Sequence, residues 1–230
     1  MKPFFSTLDW VALGWFFVIW VGYSLLADHS KITDRSITTA VNKKRKQWME
    51  QMLLRDLRMV DTQIMGNLGN GIAFFASTSI LIVGGLSAAL ASGTQAVSIL
   101  KDLPFASNSS VLGFEAKVLL LIAIFIYAFI KFSWSFRLSN YCSILIGAAP
   151  TLPDGSSMEQ VSSQAELPAR ISGLLGAHFN RGLRSYFFAL AVLPWFIHPL
   201  GFIASTTLVA VMQYRREFAS RSLRFMQTYS

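Results

Sequence analysis

His198 stands in the stretch LPWFIHPLG, between Pro194 and Pro199, in an apolar run whose only other ionisable side chain is Tyr186. An ionisable group inside such a run is a default candidate for handling a proton or a ligand. No carboxylate lies near it in that run, so a neutral imidazole hydrogen-bonded at a proline kink fits the same residues. His29 and His178 form no H-x-x-x-H or H-E-x-x-H pair with it. The single Cys142 permits neither an intrachain disulfide nor a multi-cysteine site, and reads as a small buried residue. No metal ion and no cofactor are expected. Catalysis is not expected either. There is no G-x-S-x-G, no P-loop and no G-x-G-x-x-G, and GNLGNG (66–71) leads into an apolar helix rather than a βα turn. The acids Asp9, Asp61, Glu115 and Glu217 sit at the ends of apolar segments.

Two polar sets remain. Asn70, Ala73, Ser77, Ile80, Gly84, Ser87 and Ala91 recur at steps of three and four, and six of the seven are small. Such a face lets a second helix approach closely, within a subunit or between subunits. The alternative is a pore or substrate path lined by Asn67, Asn70, Ser77 and Thr78. The second set lies in KFSWSFRLSNY (131–141), where Trp134, Arg137, Asn140 and Tyr141 share a helix face just past Lys131. This face suits docking on an anionic headgroup, on a neighbouring helix or on another subunit, and it also suits an interfacial anchor belt. Trp48, beside Lys43-Lys44-Arg45-Lys46, is a further headgroup candidate.

The elements that must hold these residues follow from composition. Hydrophobic residues make up 53% and charged residues 14% of the 230-residue chain, against about 25% charged in a soluble domain. A bilayer core needs about 20 helical residues. Segments 8–27, 68–91, 114–136 and 185–212 meet that length. The expected fold is all-α, a polytopic membrane bundle forming one integral membrane domain over 1–230. The N-terminal run lacks a cleavage pattern and reads as a retained helix, opened by a capping box of Ser6 and Asp9. Between the first two segments, Met49, Leu53, Leu57, Val60 and Ile64 predict a long amphipathic cytoplasmic helix over about 43–64, with Arg58 pairing to Asp61. Residues 92–112 and 150–168 read as polar loops.

Charge sets the orientation. The net charge is +8, and the basic residues cluster between apolar runs, as positive-inside sorting requires; nucleic acid is not needed to explain them. Segment 31–58 carries eight Lys/Arg, and Arg137, Arg170, Arg181 and Arg184 follow segment three. If segment four crosses once, kinked at its prolines, these twelve oppose six: Lys2, Lys101, Arg215, Arg216, Arg221 and Arg224. If it turns back at Pro194–Gly201, the tail joins the cytoplasmic side and the balance is sixteen against two. Both topologies stand at this level. The expected location is the bacterial inner (plasma) membrane.

Three stretches carry a resemblance: RKQWMEQMLLRDLRMVDTQIMGNLGNGIAFFASTSILIVGGLSAAL (45–90), IYAFIKFSWSFRLSNYCSILIGAAP (126–150) and HFNRGLRSYFFALAVLPWFIHPLGFIASTTLVAVMQYRREFASRS (178–222). The chain resembles the uncharacterised membrane family catalogued as domain of unknown function 599, found in bacteria and plants. The resemblance implies a four-helix integral membrane protein and brings no reaction, ligand or catalytic residue with it. From the residues, the expectation is a homo-oligomeric channel or transport protein for ions or small solutes. Its candidate residues are Asn67, Asn70, Ser77, Thr78, Gly84 and His198. The alternative is a non-catalytic accessory or scaffold subunit of a larger membrane complex.

Overall fold

The computed structural model describes residues 5–29, 31–101, 110–153 and 156–228. They form eight α-helices: α1 (Thr7–His29), α2 (Ile37–Leu53), α3 (Met59–Ala91), α4 (Gly93–Lys101), α5 (Val111–Ala148), α6 (Met158–Val192), α7 (Pro199–Phe218) and α8 (Arg221–Thr228). Short 3-10 turns occupy Lys31–Arg35 and Leu193–Phe196. Among the described residues there is no strand.

The starts of the helices are written in their caps. Ser36, Ser110 and Ser157 each accept a hydrogen bond from the backbone N–H three residues on, and Ser157 with Gln160 completes a capping box. At α1, Ser6 and Asp9 close the expected reciprocal box, with Asp9 N–H donating to Ser6 Oγ at 3.2 Å and Ser6 N–H to Asp9 Oδ2 at 3.0 Å.

Helix α5 is central, with α3 along one flank and α6 along the other; α2 packs on α6, and α1 and α6 both pack on α7. Its 38 residues span about 57 Å, against about 30 Å for a bilayer core. Two large cores, and a smaller one around Val97, Phe114 and Val118, divide that length. One, around Phe16, Phe125, Phe188, Trp195 and Phe202, joins α1, α5, α6 and α7. The other, around Met49, Met52, Met65, Phe132, Cys142 and Leu175, joins α2, α3, α5 and α6. Close approach of α5 and α6 depends on Gly182, where a Cβ would lie 2.6 Å from the Phe132 ring.

Among the described residues, three helices are long and apolar enough to cross a membrane: Thr7–His29, Met59–Ala91 and Val111–Ala148. Their outward surfaces are apolar, with Val11, Val18, Val21, Leu25, Phe74, Leu81, Leu119 and Ile130 exposed. Apolar surface on this scale belongs against lipid.

The expected fourth segment, 185–212, is two helices rather than one kinked rod. Pro194 and Pro199 supply no backbone N–H, and the helix breaks between them. Beyond the break the chain reverses. Ser205 Oγ donates to the Ala191 carbonyl at 2.6 Å, and the Arg216 guanidinium lies 5.2 Å from the centre of the Phe187 ring. Later positions on α7 thus meet earlier ones on α6, and the pair is an antiparallel hairpin.

Other boundaries also move. The amphipathic helix ends at Leu53, whose carbonyl accepts from Leu152 N–H at 3.1 Å, and a new helix starts at Met59. Met49 and Leu53 are buried, but Leu57 is 77% exposed, so the expected apolar row stops there. Arg55, not Arg58, pairs with Asp61 at 2.8 Å. Arg58 instead donates to the carbonyls of Ile146, Ala149 and Pro150, tying the α2–α3 corner to the end of α5. The expected loop 150–168 ends at Ser157, because the capping box and the buried row Val161, Ala165, Pro168 and Ser172 carry α6 through Pro168. Of the expected loop 92–112, residues 93–101 and 111–112 are helical and 102–109 lie outside the described residues, as does Lys2.

Candidate functional site

The polar centre of the molecule lies where α1 ends against α6. Asp28 is in the last turn of α1, a place where the helix macrodipole disfavours an anion. Two cations offset this. Arg181 Nε is 2.9 Å from Asp28 Oδ2, and Arg184 Nη2 is 3.1 Å from Oδ1. The two arginines are three residues apart, so one face of α6 presents both. Arg184 also lies 5.3 Å from the Tyr23 ring centre.

Helices α2 and α7 close the site. Thr38 N–H, in the first turn of α2, donates to Glu217 Oε1 at 3.2 Å, and Asn180 Nδ2 donates to Thr38 Oγ1 at 3.2 Å. These groups surround a cavity of about 180 Å³ lined by Asp28, Thr38, Asn180, Arg184, Gln213 and Arg216 among others. A second cavity, about 390 Å³, shares Thr38, Asn42, Asn180, Arg216 and Glu217 and adds Arg45. A third, about 320 Å³, shares Asp28, Arg181 and Arg184 and adds His29 and Lys131. Across the three, five Lys/Arg side chains face two carboxylates.

Arg45 is threaded over Gly176, where a Cβ would overlap its guanidinium, and it donates to the Ser172 carbonyl at 3.0 Å. Burial pulls its pKa down, yet a guanidinium stays charged near neutrality. His178 on α6 is held below its ordinary pKa by burial, with Lys131 and Arg181 adding to the effect, and its Nδ1 is buried without a hydrogen-bond partner. Gln213 is 3% exposed, and its Nε2 likewise has no partner.

The residues singled out from sequence fall in separate places. Asn67, Asn70, Ser77 and Gly84 are exposed on the outer face of α3, and Thr78 is half-buried beside them. Asn67 accepts from Gln63 at 3.2 Å, and Thr78 returns its hydroxyl to the Phe74 carbonyl at 2.8 Å. His198 caps α7, its Nδ1 accepting from Leu200 N–H at 3.1 Å. Trp48 donates its indole N–H to Asp61 Oδ1 at 2.6 Å. Trp134, Arg137, Asn140 and Tyr141 lie exposed on α5. Only Lys131 joins the polar centre, where it also sits 5.0 Å from the Tyr127 ring centre.

Sequence reasoning missed Asp28, Asn180 and Gln213, and read Arg181, Arg184 and Arg216 as orienting charge alone. The spacing of Arg181 and Arg184 was the available signal. It also passed over Lys117, inside segment 114–136. Lys117 is buried and donates to the Trp195 carbonyl at 2.9 Å, while the Trp195 indole N–H donates to Asp9 Oδ1 at 2.7 Å. The three residues tie the turn of the hairpin to the start of α1 and to α5.

Three apolar crossing helices around a charged, cavity-bearing end define a multi-pass helical membrane protein. The chain belongs to the family described as "Protein of unknown function, DUF599", whose profile matches residues 11–222. Neither the comparison with curated proteins nor that with solved structures gives a match.

Proposed function

We propose that this is a homo-oligomeric, non-enzymatic membrane protein of the channel or transport class, with the basic cavity as the place where its solute is received. The carrying observation is Gln213, a buried amide donor without a partner on the wall of a charged cavity. An unsatisfied buried donor costs about 1–3 kcal/mol, and the cost is recovered when something polar occupies the space beside it.

The hairpin supports the topology in which α2, the α5–α6 connection and the tail share the cytoplasmic side of the plasma membrane, with sixteen basic residues against two. The outer face of α3 supports oligomerisation. Its small residues stay exposed, and a Cβ at Gly84 would meet nothing within 4 Å. A path lined by Asn67, Asn70 and Ser77 would then form between subunits. The exposed stripe of Trp134, Arg137, Asn140 and Tyr141 favours the second reading, an accessory subunit docking on a larger complex.

The test is purified protein in liposomes, assayed for flux of ions and small organic solutes, with Gln213→Leu as the comparison. Flux reduced by that substitution supports the transport reading. No flux, together with reproducible retention of a foreign protein in native mass spectrometry, supports the accessory one.

A further inference from the structure

We infer that the cavity between α1, α2, α6 and α7 is built to hold an oxyanion, a phosphate or carboxylate group, bound by Gln213 and Arg216 beside the Arg181–Arg184 pair. This rests on the cavity being the solute site, and it names the chemistry of the solute.

Three of the four carboxylate oxygens on the wall are already engaged. Asp28 gives one oxygen to each of two arginines, which leaves that trio with a net positive charge. Glu217 Oε1 accepts from Thr38 N–H. The donors are in surplus. Arg216 is exposed to solvent where it lines the cavity, makes no ion pair or hydrogen bond among the described residues, and rests on the Phe187 ring. Gln213 Nε2 is buried and unpartnered on the same wall. A metal cation needs several free oxygens, and here both oxygens of Asp28 are held by arginines and three arginines line the wall. A neutral solute would satisfy the amide but gain nothing from a lining that sets three arginines against two carboxylates. An oxyanion answers both, because charge-assisted N–H···O bonds from a guanidinium and an amide suit its acceptor-only oxygens.

The cavity, about 180 Å³, has room for a small anionic group. The adjoining cavity, sharing Thr38, Asn180 and Arg216, leaves room for an attached organic portion. That group could arrive as a free anion or as a lipid headgroup.

The test uses the full chain in phosphatidylcholine nanodiscs and radiolabelled inorganic phosphate in equilibrium dialysis. Saturable binding is expected, weakened about tenfold or more by Gln213→Leu and by Arg216→Met. Phosphatidic acid in the nanodisc displaces the label if the natural source is a headgroup and leaves it bound if the source is soluble. Gln213→Glu keeps the side-chain shape but replaces the amide donor with a carboxylate, which repels an anion. It should abolish phosphate binding. The inference is overturned if wild-type protein binds no phosphate, if neither Gln213→Leu nor Arg216→Met weakens binding, or if Gln213→Glu binds phosphate as the wild type does. Saturable binding without flux in liposomes keeps this site and removes the transport reading; flux of a cation or neutral solute without phosphate binding does the reverse.

Discussion

Asp28 Oδ1 and Arg184 Nη2 meet at 3.1 Å across 156 residues of sequence, and Arg181 occupies the other carboxylate oxygen at 2.9 Å. The carboxylate sits at the wrong end of its helix for the macrodipole, so its place is set by α6 rather than by α1. The trio fixes the depth at which α1 crosses α6. It also fixes the height of the cavity floor, because Asp28, Arg181 and Arg184 line two of the three cavities.

Removing the shared carboxylate leaves two cations facing each other with little water around Arg184. Asp28→Ala is expected to cost about 1–3 kcal/mol, less than breaking a fully buried pair because Asp28 and Arg181 are partly exposed. Arg184→Met in the same background should recover part of that loss, because one uncompensated charge is gone. Denaturant unfolding in detergent measures both. A single-mutant loss within about 0.5 kcal/mol would show the trio to be a solvated surface contact.

His178 makes stability acid-sensitive. Its pKa lies below the ordinary value of 6.5 in the folded protein, because of burial and the neighbouring Lys131 and Arg181. The unfolded chain therefore binds a proton more readily, and stability rises with pH in this range. The contribution is complete above about pH 6.5, is lost as pH falls towards the folded-state pKa, and levels off below it. His178→Gln should flatten that part of the profile of melting temperature against pH. An unchanged profile would assign the acid response to other groups.

The apolar runs of α1, α3 and α5 are legible from sequence because lipid imposes length and composition on each helix independently. The site is not, because it is made of tertiary contacts between α1, α2, α6 and α7. The limits of α2 show the same division. Residues 54–58, LRDLR, are all compatible with a helix, and the row from Met49 to Ile64 runs through them without a break. What ends the helix is the crossing of Leu152 at Leu53 and the pull of Arg58 on the end of α5, neither of which has a local signature. Pro168 misleads in the opposite direction. It reads as a loop residue, yet it is buried in α6 with its carbonyl 3.8 Å from Cys142 Sγ.

The hairpin makes a topological prediction. Arg216 packs on Phe187, so the C-terminal arm ends on the side of the bundle that holds α2. A fluorescent reporter fused after Ser230 is expected to be active in the cytoplasm, and an alkaline phosphatase fusion at the same point inactive. The opposite pattern would put the arginine-rich tail across the membrane and would require α7 to run on from α6.

The outer face of α3 separates packing within a subunit from packing between subunits. Ser77 and Gly84 are exposed, and the space beyond Gly84 is open in the single chain. A leucine at either position should leave the monomer's melting temperature unchanged or slightly higher, since replacing an interior helix glycine by leucine gains up to about 1 kcal/mol of propensity. Between two copies the same leucine would hold the backbones apart and remove the contact that small residues allow. If the proposed oligomer forms through this face, Ser77→Leu/Gly84→Leu is expected to leave only monomer in native mass spectrometry while the helical content stays constant. Because the change favours the helix itself, loss of the oligomer could not be blamed on a weakened α3. An oligomer that survives would move the interface to another face, with the exposed stripe of α5 next in line.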